Sequence, residues 1–266
     1  MEPVTYLKLG GSLITNKKKP HTPRLEIIER AVTEIKGALA QANIGKLVIG
    51  HGSGSFGHVP AKKYQTRDGV YDPAQWQGFV EVWNEAHALN QILVEAFAKT
   101  GLPVMAFPPS AMIITDHGRI HVWNLEPILK SVEKGIIPLV QGDVVFDLSL
   151  GGTILSTEEI FAELANHLPP SRVLLAGVEK GVWQDFPKHT KLINKIGINT
   201  FPELNQIAGG AEATDVTGGM LEKIRILMNI IDRFPKCKGL IFSGMETGSI
   251  ERALLGETLG TLVSSD

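Results

Sequence analysis

The chain has 266 residues, of which 43% are hydrophobic and 20% are charged, a composition typical of a soluble globular protein with one large α/β domain or two small ones. A formal net charge of −2 gives no electrostatic reason to expect nucleic acid or an anionic membrane as a partner. One cysteine, Cys237, excludes an internal disulfide framework and a cysteine-based metal cluster. No secretion signal is visible, and no apolar run is long enough to span a bilayer. We therefore expect a cytoplasmic protein.

The first part of the chain predicts two strands with a helix between them. Val4–Leu9 is rich in β-forming residues and predicts a first strand, which Gly10-Gly11-Ser12 interrupts. Apolar residues then recur at helical spacing over about 23–42, which predicts a helix. The short apolar run 46–50 predicts a buried second strand.

A segment rich in glycine and serine, 51–58, follows the second strand directly. Such a loop lets backbone N–H groups approach an anion closely, and a helix beginning there would add partial positive charge. The segment ends in His58, whose ring can donate to a phosphate near neutral pH. The same residues also fit a glycine-rich turn with a buried or solvated histidine, so both interpretations stay open at this point.

The remainder of the chain predicts strands that alternate with helices. After a polar, irregular stretch over 61–72, the sequence predicts a long helix over 74–99, opened by Pro73 and closed by Gly101. The predicted strands that follow cover 102–107, 111–115, 136–140, 172–176, 191–196, 238–242 and 261–263, with a hairpin turn over 116–119 and a hairpin of 144–147 with 153–155. The predicted helices between them cover 125–134, Ser156 to about 167, about 217 to 231, and 250–255. This alternation predicts an α/β fold with a mostly parallel sheet covered by helices on both faces.

Four segments together resemble the amino acid kinase family, and the resemblance extends over essentially the whole chain. They are Leu7–Ser12, the loop 51–58, Gln141–Val144, and Asp215–Met220 with Lys223. The resemblance implies an open αβα sandwich with a mostly parallel central sheet, and a homodimer. It also implies a lobe over 1–170 for the phosphate acceptor and a lobe over 171–266 for ATP on one continuous sheet.

One motif, Gly54-Ser55-Phe56-Gly57-His58, makes the resemblance more specific within the family. It resembles members that phosphorylate a phosphate group, because members that phosphorylate carboxylates generally lack this histidine. It implies transfer of the γ-phosphoryl group of ATP, with Mg²⁺, to isopentenyl phosphate. Two alternatives stay open. One is another small phosphate or phosphonate kinase of the family, such as one acting on fosfomycin; the other is a non-catalytic regulator that binds a nucleotide.

Phosphoryl transfer requires two anions held in line with their charge neutralised. Lys8 lies inside an apolar strand beside two glycines, and we interpret it as a cation for the transferred group rather than an edge-strand lysine that reaches water. His58 would donate to the acceptor phosphate. The other candidates for catalysis are Lys17, Asp143 and Lys223, of which the two lysines could instead be solvated and the aspartate a turn former.

The predicted binding residues fall into two groups. The nucleotide group, which follows the family motifs and glycines near a helix start, consists of Lys8, Gly10, Gly11, Ser12, Gly181, Asp215, Thr217, Gly218, Gly219 and Lys223. The acceptor group combines the glycine loop with residues for an apolar tail: Gly52, Ser53, Gly54, Ser55, Gly57, His58, Trp76, Phe79, Val80, Trp83, Phe146, Gly152 and Ile154. An aromatic stripe at helical spacing equally predicts ordinary core.

Two segments depart from the family pattern. The stretch 177–183 lacks the first aspartate of the usual motif, which puts nucleotide-base contacts in doubt. Where such kinases often show Ser-Gly-Asp-Asp, this chain has Ser156-Thr157-Glu158-Glu159. Either Glu158 or Asp143 could therefore orient the lysines, and no residue is assigned directly to a metal.

Overall fold

The computed structural model describes residues 2–185, 188–201 and 219–266. Its strands are β1 (Val4–Leu9), β2 (Lys46–His51), β3 (Val104–Ala106), β4 (Ile113–Asp116), β5 (Arg119–Trp123), β6 (Ile137–Gln141), β7 (Asp143–Asp147), β8 (Gly151–Leu155), β9 (Arg172–Gly177), β10 (Val182–Trp183), β11 (Leu192–Ile193), β12 (Lys195–Gly197), β13 (Lys238–Ser243) and β14 (Thr261–Ser264). Its helices are α1 (Gly11–Ile14), α2 (Leu25–Gln41), α3 (Gly54–Tyr64), α4 (Pro73–Thr100), α5 (Glu126–Glu133), α6 (Thr157–Leu164), α7 (Gly219–Arg233) and α8 (Ser249–Leu254). None of these helices is both long and apolar enough to cross a bilayer.

An eight-stranded sheet forms the centre of the fold, in the order β12-β14-β13-β9-β1-β2-β6-β3. Its pairings are parallel except that of β13 with β14. Since β9 pairs with β1, the sheet is continuous across the boundary expected near residue 170. The assignment of one lobe to each substrate stays a prediction.

Apolar residues cover both faces of this sheet, as the alternation of elements predicts. Tyr6 packs against one face with α5, α6 and α7, while Leu7 and Leu9 pack against the other with α2, α4 and α8. Burial on both faces explains why β6 and β9 are apolar in sequence except at one end. The α/β fold with helices on both faces is thus confirmed.

Four neighbouring strands, β9, β1, β2 and β6, end at one edge of the sheet. Parallel strands place their following loops side by side at the carboxyl edge. The segments brought together there are Gly10–Ser12 after β1, 52–58 after β2, Gly142-Asp143 after β6 and Gly177–Glu179 after β9. Three of the four segments that carry the family resemblance therefore meet at one place.

Helix α3 differs from the predicted irregular stretch, because it begins at Gly54 inside the glycine loop and runs to Tyr64 through Pro60. Pro60 removes one helical hydrogen bond, but the helix is packed along α4: a Cβ on Gly78 would lie 2.1 Å from Cγ of Tyr64. Packing has outweighed local propensity here. The loop thus ends in a helix N-terminus, which the sequence left open.

A second sheet, β5-β4-β7-β8, extends beside the central one. Part of its surface is covered by α4, where Phe79 and Val82 pack with Val70 and Val144 in a separate apolar cluster. The loop β7–β8 turns at 148–150, so Gly151-Gly152 lies in β8 rather than in the turn itself. This sheet supplies Ile154 and Asp143 to the site described next.

Candidate active site

A cleft of about 1420 Å³ opens over the carboxyl edge of the central sheet. Lys8 and His58 both line it, although they come from different elements. Of the predicted site residues, those that line the cleft are Lys8, Gly10, Gly11, Ser12, Lys17, Gly52, Ser53, Gly57, His58, Asp143, Ile154, Gly219 and Lys223. Asp215, Thr217 and Gly218 lie outside the described residues.

Lys8 is 7% exposed and forms an ion pair with Glu158, which is equally buried. Glu158 lies in the first turn of α6, where the positive end of the helix dipole favours a carboxylate. Burial opposes ionisation of Glu158, but the charge and hydrogen bond of Lys8, with the charge of Lys223, outweigh it and lower its pKa. The pair is therefore ionised at neutral pH, as a buried charge requires.

Lys223 faces the same carboxylate, and Lys17 acts on Lys223 through its charge. Lys223, on α7, is partly buried, and burial lowers its pKa, as do the positive charges of Lys8 and Lys17, while Glu158 opposes the decrease. Lys17 is exposed on the loop that follows α1 and lines the cleft. The cleft thus holds the positive charges of Lys8, Lys17 and Lys223 against the one negative charge of Glu158, which suits a phosphate ligand.

Two glycine turns form adjacent walls of the cleft. Gly10 precedes α1 and Ser53 precedes α3, so a helix begins at each turn. Gly11 and Ser12, in the first turn of α1, line the cleft, whereas the Ser55 N–H of α3 is hydrogen-bonded to Thr15. The turns are in contact, since a Cβ on Gly11 would lie 2.4 Å from the backbone nitrogen of Gly54. Glycine at position 11 is thus required by the close approach of the two backbones.

His58 lies one turn into α3, exposed to the open cleft. Partial desolvation by the walls lowers its pKa, the charges of Lys17 and Lys8 lower it further, and Glu158 opposes them. The ring is therefore neutral near pH 7 and carries one N–H that can donate to an anion. Its position fits the anion-binding interpretation of the loop.

Asp143 does not contact a lysine. It is 1% exposed, and its oxygens accept hydrogen bonds from the backbone N–H groups of Val144 at 2.9 Å and Ser110 at 3.4 Å. The contacts therefore favour Glu158, rather than Asp143, as the carboxylate that orients Lys8. The sequence left both carboxylates open for this role, and Glu158 takes it because its longer side chain extends from α6 to the strand lysine.

Asp143 and His51 give the stability of the fold opposite dependences on pH. Burial lowers the pKa of His51 from 6.5 to about 4, so between these values the unfolded chain binds a proton that the folded chain does not, and acidification destabilises. Burial raises the pKa of Asp143 to about 6, so from about pH 6 to 4 only the folded chain binds that proton, and acidification stabilises.

We expect Asp143→Asn to remove the stabilisation that Asp143 gives the folded chain on acidification. The free energy of unfolding should then fall more steeply between pH 6 and 4, by up to about 1.4 kcal/mol per pH unit relative to the parent chain. Urea unfolding at pH 4, 5 and 6 measures this slope. Equal slopes in the two proteins would mean that the carboxyl of Asp143 is already ionised at pH 5.

The apolar wall of the cleft is formed by other residues of α4 than those predicted from the sequence. Val82 and Ala86 of α4 line the cleft with Ile154, whereas Val80 is 53% exposed and does not. Val82 and Ala86 lie three and seven positions after Phe79, so all three residues share one face of the helix. The sequence interpretation missed this spacing. Val80 is corrected because position i+1 turns away from that face.

The aromatic residues lie behind this wall rather than on it. Phe79 is 5% exposed, and Trp76 and Trp83 pack in the same cluster. The Trp83 Nε1–H donates to Ser110 Oγ at 3.1 Å. These residues support the shape of the wall and form no part of its surface, as the core interpretation of the stripe anticipated.

Five other predicted contacts lie outside the cleft lining. Phe146 is 51% exposed and packs against the Trp76 and Phe79 rings. Gly152 makes room for Phe79, since its Cβ would lie 2.8 Å from that ring. Two more are occupied by contacts inside the protein. Gly181 packs against Thr261, and Ser55 is buried with its N–H and hydroxyl both hydrogen-bonded to other residues of the chain. Gly54 lies beneath the loop surface at φ +53°.

Within residues 2–185, 188–201 and 219–266, no group of three or more His, Cys, Asp and Glu side chains could hold a metal ion. Glu158 is already paired with Lys8, and both oxygens of Asp143 accept backbone N–H groups. These residues do not fit an all-protein metal cage.

Comparison with known proteins gives a consistent result. The sequence profile described as the amino acid kinase family matches residues 4–243. An isopentenyl phosphate kinase of Methanocaldococcus jannaschii is 32% identical over 97% of both chains. One from Methanothermobacter thermautotrophicus is 34% identical over 97% of this chain and 98% of the relative. A crystal structure described as isopentenyl phosphate kinase superposes with a TM-score of 0.82 at 30% identity, covering 98% of this chain and 100% of the other.

Proposed function

The chain belongs to the amino acid kinase family, and on that basis we propose that it is an isopentenyl phosphate kinase. It transfers the γ-phosphoryl group of ATP to isopentenyl phosphate and releases isopentenyl diphosphate and ADP. The observation that carries this proposal is that Lys8, Lys223 and His58 line one cleft between two glycine turns. The full-length relatives with this name support the choice of acceptor.

The reaction needs little covalent help from the protein. An oxygen of the acceptor phosphate forms a bond to the γ-phosphorus as the bond from that phosphorus to the ADP oxygen breaks. The acceptor oxygen is already anionic, so no general base is required. The work of the protein is to place two anions in line and to offset their charge.

Each side of the cleft has a separate task. The turn Gly10–Ser12 and the start of α7, with Gly219, bind the nucleotide phosphates, and Lys223 and Lys8 stabilise the transferred group. Gly52, Ser53 and Gly57 of the glycine loop, with the His58 N–H, bind the acceptor phosphate. Glu158 keeps Lys8 charged and oriented. Apart from the turn Gly10–Ser12, which lies in the first lobe but serves the nucleotide, this division follows the proposed lobes, 1–170 for the acceptor and 171–266 for ATP.

We propose that Mg²⁺ binds together with ATP and is coordinated mainly by the ATP phosphates, as is usual for Mg²⁺ in kinases. Among the described residues, no group of three or more potential ligand side chains could coordinate it. When bound to the ATP phosphates, it neutralises charge on the nucleotide. We also propose a homodimer, on the family resemblance alone. Light scattering of the purified protein gives its mass in solution and decides this point.

An acceptor with an apolar tail fits the wall formed by Val82, Ala86 and Ile154, which offers no side-chain hydrogen-bonding group. A compact polar acceptor such as fosfomycin would leave this surface unused. This observation favours isopentenyl phosphate over the other phosphate and phosphonate acceptors of the family.

The test is a turnover screen with purified protein, ATP and Mg²⁺ against isopentenyl phosphate, dimethylallyl phosphate and fosfomycin. We expect kcat/KM for one of the two isoprenoid phosphates to exceed that for fosfomycin by at least about 10²-fold, since an apolar pocket gains about 1–3 kcal/mol per matched group. Preference for fosfomycin would assign the second acceptor class. Binding of ATP without turnover of any acceptor would assign a non-catalytic regulator.

A further inference from the structure

One buried hydroxyl bridges the two glycine turns. Thr15 follows α1 and is fully buried. Its Oγ1–H donates to the Gly11 carbonyl at 2.7 Å, and the same oxygen accepts the Ser55 N–H at 2.9 Å. The two partners belong to the nucleotide-side turn and to the acceptor-side loop respectively, so a single side chain joins them.

The packing around this bridge leaves no free space. Gly54 has φ +53°, and a Cβ there would lie 2.1 Å from Thr15 Oγ1 and 2.6 Å from the Gly11 carbonyl oxygen. The spacing of the two turns is therefore fixed by backbone contact on one side and by the threonine hydroxyl on the other. Protein interiors packed in this way resist small displacements.

The loop that carries Lys17 is attached at the same point. Thr15 forms a bridge with Pro23, which closes the loop, and the Thr22 N–H donates to Ser55 Oγ at 3.3 Å. The His21 N–H donates to the Ser55 carbonyl at 3.3 Å. Movement of Ser55 would thus shift the Lys17 loop together with the acceptor loop.

We propose that Thr15 is a positioning residue that sets the separation between the γ-phosphorus of ATP and the attacking oxygen of the acceptor. The inference rests on the proposed function. Reacting atoms must approach to about 3–3.5 Å in line, and a misplacement of about 1 Å can cost roughly 10²-fold in rate. Thr15 touches neither substrate, since it is absent from the cleft wall, and it acts through the two turns that do.

Loss of the hydroxyl has a distinctive chemical consequence. If the acceptor oxygen is out of line, water can take its place and attack the γ-phosphorus, giving ADP and inorganic phosphate. The ratio of ADP formed to isopentenyl diphosphate formed then rises above one. This ratio does not depend on the fraction of protein that is folded, so it separates positioning from simple destabilisation.

The test compares Thr15→Val, which keeps the shape and removes the hydroxyl, with Thr15→Ser, which keeps the hydroxyl. In Thr15→Val we expect kcat to fall about 10²-fold. We also expect both KM values to stay within about threefold and the product ratio to rise. Thr15→Ser should restore a ratio of one. If Thr15→Val does not fold, Thr15→Ala carries the same comparison.

Thr261→Val is a matched control. Thr261 is also fully buried, and its hydroxyl likewise accepts one backbone N–H, from Val182 at 2.8 Å, and donates to one carbonyl, that of Ile193 at 2.6 Å. It does not line the cleft. We expect it to lower the melting temperature about as much as Thr15→Val does, with no change in product ratio.

Three results would count against these claims, and they can be told apart. Wild-type kcat and product ratio in Thr15→Val would overturn the positioning role and leave the proposed function intact. A raised ratio in Thr261→Val as well would assign the effect to general destabilisation. Absence of turnover by the wild-type protein on isopentenyl phosphate would overturn the proposed function itself.

Discussion

Replacement of Lys8 with methionine is expected to lower kcat/KM for phosphoryl transfer by about 10³-fold, or about 4 kcal/mol of transition-state stabilisation. The reason is that Lys8 is a fixed cation at the carboxyl edge of β1, inside the cleft in which we propose that both substrates bind. A preorganised charge in such a site needs no reorganisation as the phosphoryl group moves. Steady-state kinetics with isopentenyl phosphate measure the loss.

The same substitution should also destabilise the fold, because it leaves Glu158 as a buried carboxylate without its partner. Removal of one member of a buried pair typically costs about 3–5 kcal/mol. The control is the double variant Lys8→Met with Glu158→Gln, which removes both charges at nearly constant volume. We expect it to recover most of the stability and none of the activity. Turnover of Lys8→Met within tenfold of the wild type would exclude Lys8 as the cation for the transferred group.

The second large effect is expected for His58→Ala. Loss of the donor to the acceptor phosphate should reduce kcat/KM for isopentenyl phosphate by roughly 10²-fold, about 3 kcal/mol, the size found when one oxyanion donor is removed. The KM for ATP should be unchanged, because His58 lies on the acceptor loop. Since its pKa is lowered, the ring donates as a neutral imidazole, and the rate should not fall as pH rises from 7 to 8.

His58→Gln is the matched variant, since its amide keeps an N–H donor on an uncharged side chain. We expect it to retain more activity than His58→Ala on isopentenyl phosphate. A rate for His58→Ala equal to that of the parent protein would remove the histidine from the reaction. A steep loss of activity of the parent between pH 7 and 8 would instead indicate that the ring acts as a cation.

Much of the central fold could be predicted because its strands are buried on both faces. The run 136–140 is apolar throughout and Val4–Leu9 largely so, and a lysine inside such a strand stands out. Lys8 could therefore be singled out from sequence. Its partner could not, because the choice between Asp143 and Glu158 depends on which carboxylate reaches across from a neighbouring element, and that distance has no signature in one sequence.

The errors in the acceptor site have a similar origin. Helical spacing located the tail wall on α4, but an offset of one or two positions separates the exposed Val80 from Val82 on the cleft. Ser55 reads as a phosphate ligand in sequence because its loop is rich in glycine, yet Thr15, forty positions earlier, takes its N–H. Which distant side chain accepts a given backbone N–H depends on the tertiary structure and leaves no local pattern in the sequence.

The contact between Gly11 and Gly54 also bears on how this protein could be altered. Neither position can accept even one methyl group without moving the other backbone, so the geometry of the two proposed phosphate sites can change only in concert. Val82, Ala86 and Ile154 belong to other elements and are free of that constraint. Attempts to broaden the range of acceptors should therefore enlarge or reshape this distant surface, where changes in tail length can be accommodated without disturbing the reacting atoms.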